Sequence, residues 1–213
     1  EPFFFQRAAD KDSKRLYAVV MEYFSAFCGL IFLGVILYID AISLILGRDF
    51  REGISIVPIM LLSYIILGML FNVSMWYKLS GKTGVAIYIT MAGLVVTAAV
   101  NIIFMPKFSY YAAAWGHLAS YVMMFIISVL LGNKYYPIPY NWKRISLVFL
   151  TMGVVCIAAR LTDTVFFKGV TFSESVPETI FKFAVNTVFI LIYIVAVYFT
   201  VHKKNQSFLS GQQ

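Results

Sequence analysis

Six times between Leu16 and Val201 the sequence holds an apolar run close to the length needed to cross a bilayer. A helix needs about 20 apolar residues to span the hydrocarbon core. Lipid offers no partner for an open strand edge, so such runs fold as helices or as a closed barrel, and these are too long for barrel strands. The predicted spans are residues 16–39, 54–77, 83–105, 110–131, 145–161 and 179–201. The first stops at Asp40, the third stops at Pro106-Lys107, and the fifth is the shortest. The fold class that follows is an all-α integral membrane protein with about six transmembrane helices.

Composition agrees. The chain of 213 residues is 61% hydrophobic and 13% charged, whereas a soluble domain is nearer half apolar and a quarter charged. Net charge is +7. In a soluble protein that excess points to nucleic acid. Here loops held on one face of the membrane collect Lys and Arg, so nucleic acid is not an expected partner. Of the 17 basic residues, eleven fall on the side of residues 7–15, 78–82, 134–144 and 203–204, and six on the other. The richer side is expected to be cytoplasmic, with both ends of the chain there.

Residues 1–15 read as a charged interfacial lead-in, residues 16–201 as the helical bundle, and residues 202–213 as a cytoplasmic tail. The chain begins at Glu1 without a methionine or a signal peptide pattern, which reads as a piece of a longer protein. Short connections at 47–52, 78–82 and 106–109 make antiparallel hairpins of neighbouring spans. In the longer 131–144 loop Pro137 and Pro139 forbid helix, and Tyr135, Tyr136, Tyr140 and Trp142 suit the headgroup layer. Cys28 and Cys156 lie in apolar runs without C-x-x-C or Cys/His spacing, and read as small buried side chains with no metal or redox role.

Polar groups at membrane depth carry the functional information, because burying one unpaired costs about 1–3 kcal/mol. The stretch 53–82 is apolar yet places Tyr64, Gly68 and Asn72 along one helical face. It ends in Trp76, Tyr77 and Lys78, an aromatic-then-basic membrane-surface signature that makes Asn72 a residue of the cytoplasmic mouth. On the third span Thr90, Gly93, Thr97 and Asn101 form a stripe. It is either the wall of an aqueous cavity or a packing seam of small residues. Lys182 and Asn186 share a face of the sixth span with Tyr193. Lys182 either snorkels to the surface or presents a cation to a phosphate. Arg160 has the same two readings, with Asp163 as a candidate partner.

Glu22 is the one acid well inside a span. It is a candidate for coupling transport to a proton gradient, or it forms a headgroup-level pair with Lys14 or Arg15. Ala112, Gly116 and Ser120 make a small-residue face beside His117, whose plain reading is hydrogen-bonded packing. No catalytic or metal-ligating residue is assigned, and no G-x-S-x-G, phosphate loop or dinucleotide fingerprint occurs. The N-x-S triplets at Asn72 and Asn205 are discounted, one being in the membrane and one on the cytoplasmic side.

Several motifs occur in order: E-P-F-F-F at 1–5, L-Y-I-D at 37–40, R-E-G-I-S-I-V-P-I at 51–59, W-Y-K-L-S-G-K-T at 76–83, N-I-I-F-M-P-K at 101–107 and K-Y-Y-P-I-P-Y at 134–140. To about Arg144 the chain resembles the C-terminal part of bacterial polysaccharide biosynthesis flippases. These are O-antigen-type members of the multidrug/oligosaccharidyl-lipid/polysaccharide exporter superfamily. The resemblance implies that these helices form one bundle of a two-bundle transporter and are about the last six of 12 to 14 spans. It implies alternating-access movement of an undecaprenyl-pyrophosphate-linked oligosaccharide across the inner membrane. The implied partners are that lipid-linked oligosaccharide, membrane lipids and other envelope polysaccharide assembly proteins, with no cofactor. Two alternatives stand beside it. One is a multidrug or cation exporter of the same superfamily. The other is a membrane polymerase or acyltransferase of envelope sugar assembly, with His117 and Arg160 as its candidate residues.

Overall fold

A computed structural model describes residues 12–45, 48–166 and 176–210. Among them every regular element is helical and no strand occurs. The long helices are α1 (Ser13–Leu37), α3 (Val57–Val73), α5 (Val85–Phe108), α6 (Tyr110–Tyr135), α7 (Trp142–Phe166) and α8 (Val176–Val197). Short pieces complete the order: α2 (Ile39–Ile45), a 3-10 segment (Arg48–Ile56), α4 (Met75–Leu79), a π turn (Tyr198–His202) and α9 (Lys203–Ser210). Among the described residues six segments are long and apolar enough to cross a membrane, which makes this a multi-pass membrane protein. The lead-in at 1–11, with its Phe triplet, lies outside the described residues, as do residues 167–175 of the polar loop before α8.

The helices run through several positions where the sequence predicts a stop. Asp40 does not close the first span. The chain turns at Tyr38, and Asp40 lies in the first turn of α2. Pro106 lies within α5, which continues to Phe108. Pro106 has no N–H to offer the Ile102 carbonyl, and the helix ends two residues after it. The helix ends instead at Ser109, whose φ of 49° breaks the repeat. The fifth span is not the shortest: α7 has 25 residues, as many as α1. Its charged ends, Arg144 and Asp163, stay helical because each finds an oppositely charged partner on another helix. The second span is broken at Ser74, whose hydroxyl donates to the Phe71 carbonyl (2.7 Å).

The described chain falls into two compact units. The first comprises the described residues within 1–21 and 56–140, the second those within 22–55 and 141–213. Helix α1 contributes its first part to one and the remainder to the other.

In the first unit α6 packs along both α5 and α3. Its small residues make this possible: Ala112, Gly116, Ser120, Ser128 and Gly132 are all buried. Trp76 is 1% exposed. Its indole nitrogen donates to Ser128 Oγ (3.1 Å) and its ring lies on Gly132, where a Cβ would come within 2.9 Å of Cδ1. The Trp76-Tyr77-Lys78 signature is thus not a lipid-facing belt at its first member; Trp76 is core. At the same end Tyr17, Ala18 and Ile138 form a small apolar cluster with Leu79, Tyr136 and Tyr140 packed on it. The 137–140 stretch is non-helical, as its two prolines dictate. Burial pushes the Tyr140 hydroxyl above the usual phenol range, so it stays protonated at physiological pH.

The second unit is built from the remainder of α1 with α2, α7, α8 and the segments that follow α8. Tyr193 is 1% exposed and donates from its hydroxyl to the Ala26 carbonyl (2.9 Å). Gly29 makes room for that phenol, since a Cβ there would collide with the Tyr193 hydroxyl. The predicted cytoplasmic tail is structured at its start. Residues 203–210 form α9, and Asn205 within it is 6% exposed.

Candidate functional site

The polar side chains of the second unit gather in two clusters. Each draws on segments far apart in sequence. At one end Glu22 is 2% exposed. Arg144, in the first turn of α7, reaches it through Nη1 (3.2 Å to Oε2). The same Nη1 donates to Asn205 Oδ1 (2.8 Å), and Asn205 Nδ2 donates to Glu22 Oε2 (2.7 Å). Three residues thus close a ring in which each touches the other two. Tyr23 and His202 are joined one residue along, hydroxyl to Nδ1 at 2.8 Å. An isolated carboxylate in an apolar span is costly, and this arrangement answers it with a charge and an amide. The predicted pairing of Glu22 with Lys14 or Arg15 is therefore corrected. Glu22 is satisfied by a base 122 positions later, because the face of α1 that carries it is turned to α7 and α9.

At the other end Lys182 holds two carboxylates, Asp40 Oδ2 at 2.7 Å and Asp163 Oδ2 at 3.0 Å. Its side chain is only 13% exposed. It is neither a freely snorkelling lysine nor an unengaged cation. Asp163 pairs with Lys182 rather than with Arg160, which is exposed on the same helix. Asn186, 5% exposed, donates to the Leu37 carbonyl (2.7 Å), a group left without a continuing helix by the turn at Tyr38. The Tyr38 hydroxyl stands 2.7 Å from Thr187 Oγ1. A cavity of about 10 Å³, room for one water, is lined by Leu37, Asp40, Arg160, Asp163 and Asn186. Glu22 lies fifteen residues before Leu37, the last residue of α1, roughly 22 Å of helix rise, so the two clusters lie toward opposite ends of the second unit's part of that helix.

The first unit treats its polar residues differently. Gly93 and Asn101 of the predicted stripe face α6, not a cavity. Ser120 Oγ donates to the Gly93 carbonyl (2.8 Å), and a Cβ on Gly116 would stand 3.2 Å from Asn101 Oδ1. These two positions belong to a small-residue seam. Thr90 points away from it, exposed, its hydroxyl returned to the Ala86 carbonyl (2.9 Å). Thr97 is half-buried. Asn72 is half-buried and donates to the Gly68 carbonyl of its own helix (3.2 Å). Asn101 Oδ1 stands apart as a buried acceptor with no hydrogen-bond partner among the described residues. His117 is half-buried with its ring 5.7 Å from that of Tyr121. Among the described residues no group of three or more His, Cys, Asp or Glu side chains is placed to hold a metal ion.

Of the predicted site residues, then, the structure gives Glu22, Lys182 and Asn186 tertiary partners. It leaves Asn72 and Thr90 on their own backbones. Arg144 and Asn205 are not evident as site residues from sequence: one falls at the end of the 131–144 loop and the other in the 202–213 tail. Their signal in the sequence is Glu22 itself, since a buried acid needs a base, but nothing local says which.

Comparison with known proteins identifies no relative: no family model, no curated protein and no solved structure matches the chain.

Proposed function

We propose that this chain is the helical part of a membrane transporter that carries a lipid-linked oligosaccharide across a bacterial inner membrane by alternating access. The observation that carries the reading is where the flippase-like motifs fall. L-Y-I-D lies on the turn between α1 and α2, and R-E-G-I-S-I-V-P-I on the change from 3-10 to α at Val57. W-Y-K-L-S-G-K-T covers α4 and the turn with Gly81 at φ 70°. N-I-I-F-M-P-K leads into the break at Ser109, and K-Y-Y-P-I-P-Y covers the end of α6 and the extended loop. The motifs mark the joints of the spans rather than a reaction centre. A protein that works by moving helices relies on its joints.

The two clusters of the second unit fit the same reading. Ionisable residues at membrane depth are costly and commonly serve transport. Glu22, bonded to Arg144 and Asn205, is the coupling candidate, because protonating it would remove the charge that holds both partners. In this reading the lysine-rich end faces the cytoplasm.

The deciding experiment places the intact polypeptide that carries this chain in vesicles with a fluorescent undecaprenyl-diphosphate oligosaccharide. Transfer between leaflets is read by quencher accessibility. Transfer that Glu22→Gln slows under an imposed proton gradient supports the proposal. Folded protein that moves no lipid-linked sugar, but exports a cationic dye, would assign the chain to the drug-exporter alternative.

A further inference from the structure

The sequence contains no Asp or Glu between Glu52 and Asp163. The 56–140 stretch of the first unit therefore has no carboxylate, while it carries Lys78, Lys82, Lys107 and Lys134. At one end of this unit three lysines from three chain segments converge on two adjacent tyrosines. Lys82 Nζ lies 3.6 Å from the Tyr135 ring centroid and Lys134 Nζ lies 5.5 Å from the same centroid. Lys14 Nζ lies 4.5 Å from the Tyr136 centroid. Among the described residues no carboxylate is ion-paired with Lys14, Lys82 or Lys134. The tyrosine platform is anchored: Tyr135 stacks on Trp76 (5.9 Å, 15°), and Trp76 is bonded to Ser128 in the core.

We propose that this collar is a binding site for the phosphate headgroup of an anionic phospholipid. Two ammonium groups drawn to one ring repel each other, and a ring face offsets only part of that cost. The repulsion is relieved by an anion with several acceptor oxygens, to which the N–H groups not engaged with the rings donate. The unit itself offers no such anion along 56–140. The collar lies at the ends of α4 and α6, at the level where aromatic rings and lipid phosphates meet. Basic pockets between spans recognise anionic headgroups in this way. In the second unit, by contrast, Arg144 and Lys182 are held by carboxylates of their own unit. The assignment does not depend on the transported substrate.

The test uses the intact polypeptide in nanodiscs of phosphatidylcholine with and without phosphatidylglycerol. Retained lipid is counted by native mass spectrometry and thermal stability is read in both. The wild type should retain phosphatidylglycerol preferentially and unfold at higher temperature with it. K14Q/K82Q/K134Q should lose roughly a hundredfold in preference, at about 1 kcal/mol per lysine. Its unfolding in pure phosphatidylcholine should be unchanged. Lys82→Arg should keep the preference, and Lys107→Gln, at the opposite end of α5, should leave it intact. If the triple variant does not fold, Lys82→Gln and Lys134→Gln are read singly, each exposed and each expected to lose about fivefold. Unaltered preference in these variants, or an equal loss in Lys107→Gln, overturns the proposal.

Discussion

The two units are alike in hydropathy and opposite in how they handle charge. The second pairs acids with bases: buried Glu22 with Arg144 and Asn205, and Asp163 and the more exposed Asp40 with Lys182. The first has an acid-free 56–140 stretch. There neighbouring side chains lie directly on Gly93, Gly116 and Gly132, and lysines lie over tyrosine rings at one end. Lipid supplies little hydrophobic force between helices, so association rests on close packing or on polar pairs. The two units show one solution each. Packing tolerates no added volume but is indifferent to pH and salt. Charge pairing tolerates modest changes of volume but fails when either partner is removed.

The largest expected effect sharpens the packing side of this contrast. Trp76→Ala should destabilise the first unit by about 3–5 kcal/mol, through the void it leaves and the partner lost by Ser128. Denaturant unfolding in micelles, followed by tyrosine fluorescence, reads it. A loss below about 1 kcal/mol would show that this indole is peripheral after all.

Next comes the charge side. Glu22→Ala should cost about 3 kcal/mol, at the low end for a buried pair because the Arg144 side chain keeps 24% exposure. In a double-mutant cycle with Arg144→Ala the two losses should overlap by about 1–3 kcal/mol. Strict additivity would mean that the pair contributes nothing as a pair, and the contrast between the units would collapse.

Gly29→Ala breaks the contrast from within, because it is a packing lesion in the charged unit. The new methyl collides with the Tyr193 hydroxyl and forces it from the Ala26 carbonyl. The expected cost is about 1–3 kcal/mol. Gly29→Ala with Tyr193→Phe should recover part of it, since the phenol oxygen is the atom struck; no recovery would place the strain elsewhere.

The smallest effect on stability is expected at Asn101. Its Oδ1 is buried without a hydrogen-bond partner among the described residues, so Asn101→Leu removes an unmet polar group from an apolar seam. Folded stability should be unchanged or higher by up to about 1 kcal/mol. Transport of the lipid-linked sugar by the stable variant should be undiminished, as for a seam residue. A loss of transport with stability kept would assign the Asn101 amide a role beyond packing.

Much of the architecture is legible in the sequence by itself. The six spans, their helical character and the prolines that keep 137–140 out of helix follow from hydropathy, length and backbone chemistry. These are local quantities, summed over a window. The small-residue face Ala112, Gly116, Ser120 was legible for the same reason, since three positions on one helix define it. The residues that look functional were legible as types: a buried acid, a lysine in a span, an asparagine on a polar stripe.

Tertiary structure alone decided their partners. Glu22 is answered by residues 122 and 183 positions away, and Lys182 by Asp40 at 142. No periodicity encodes such separations, because they depend on which helix faces reach one another. The same holds for Trp76. Its sequence context is that of a membrane-surface aromatic, but a serine and a glycine one turn apart on α6, Ser128 and Gly132, give the indole a place in the core. Sequence determined which groups the membrane makes expensive. The packing of helices from distant parts of the chain decided which of them are satisfied from within and which are left for a ligand.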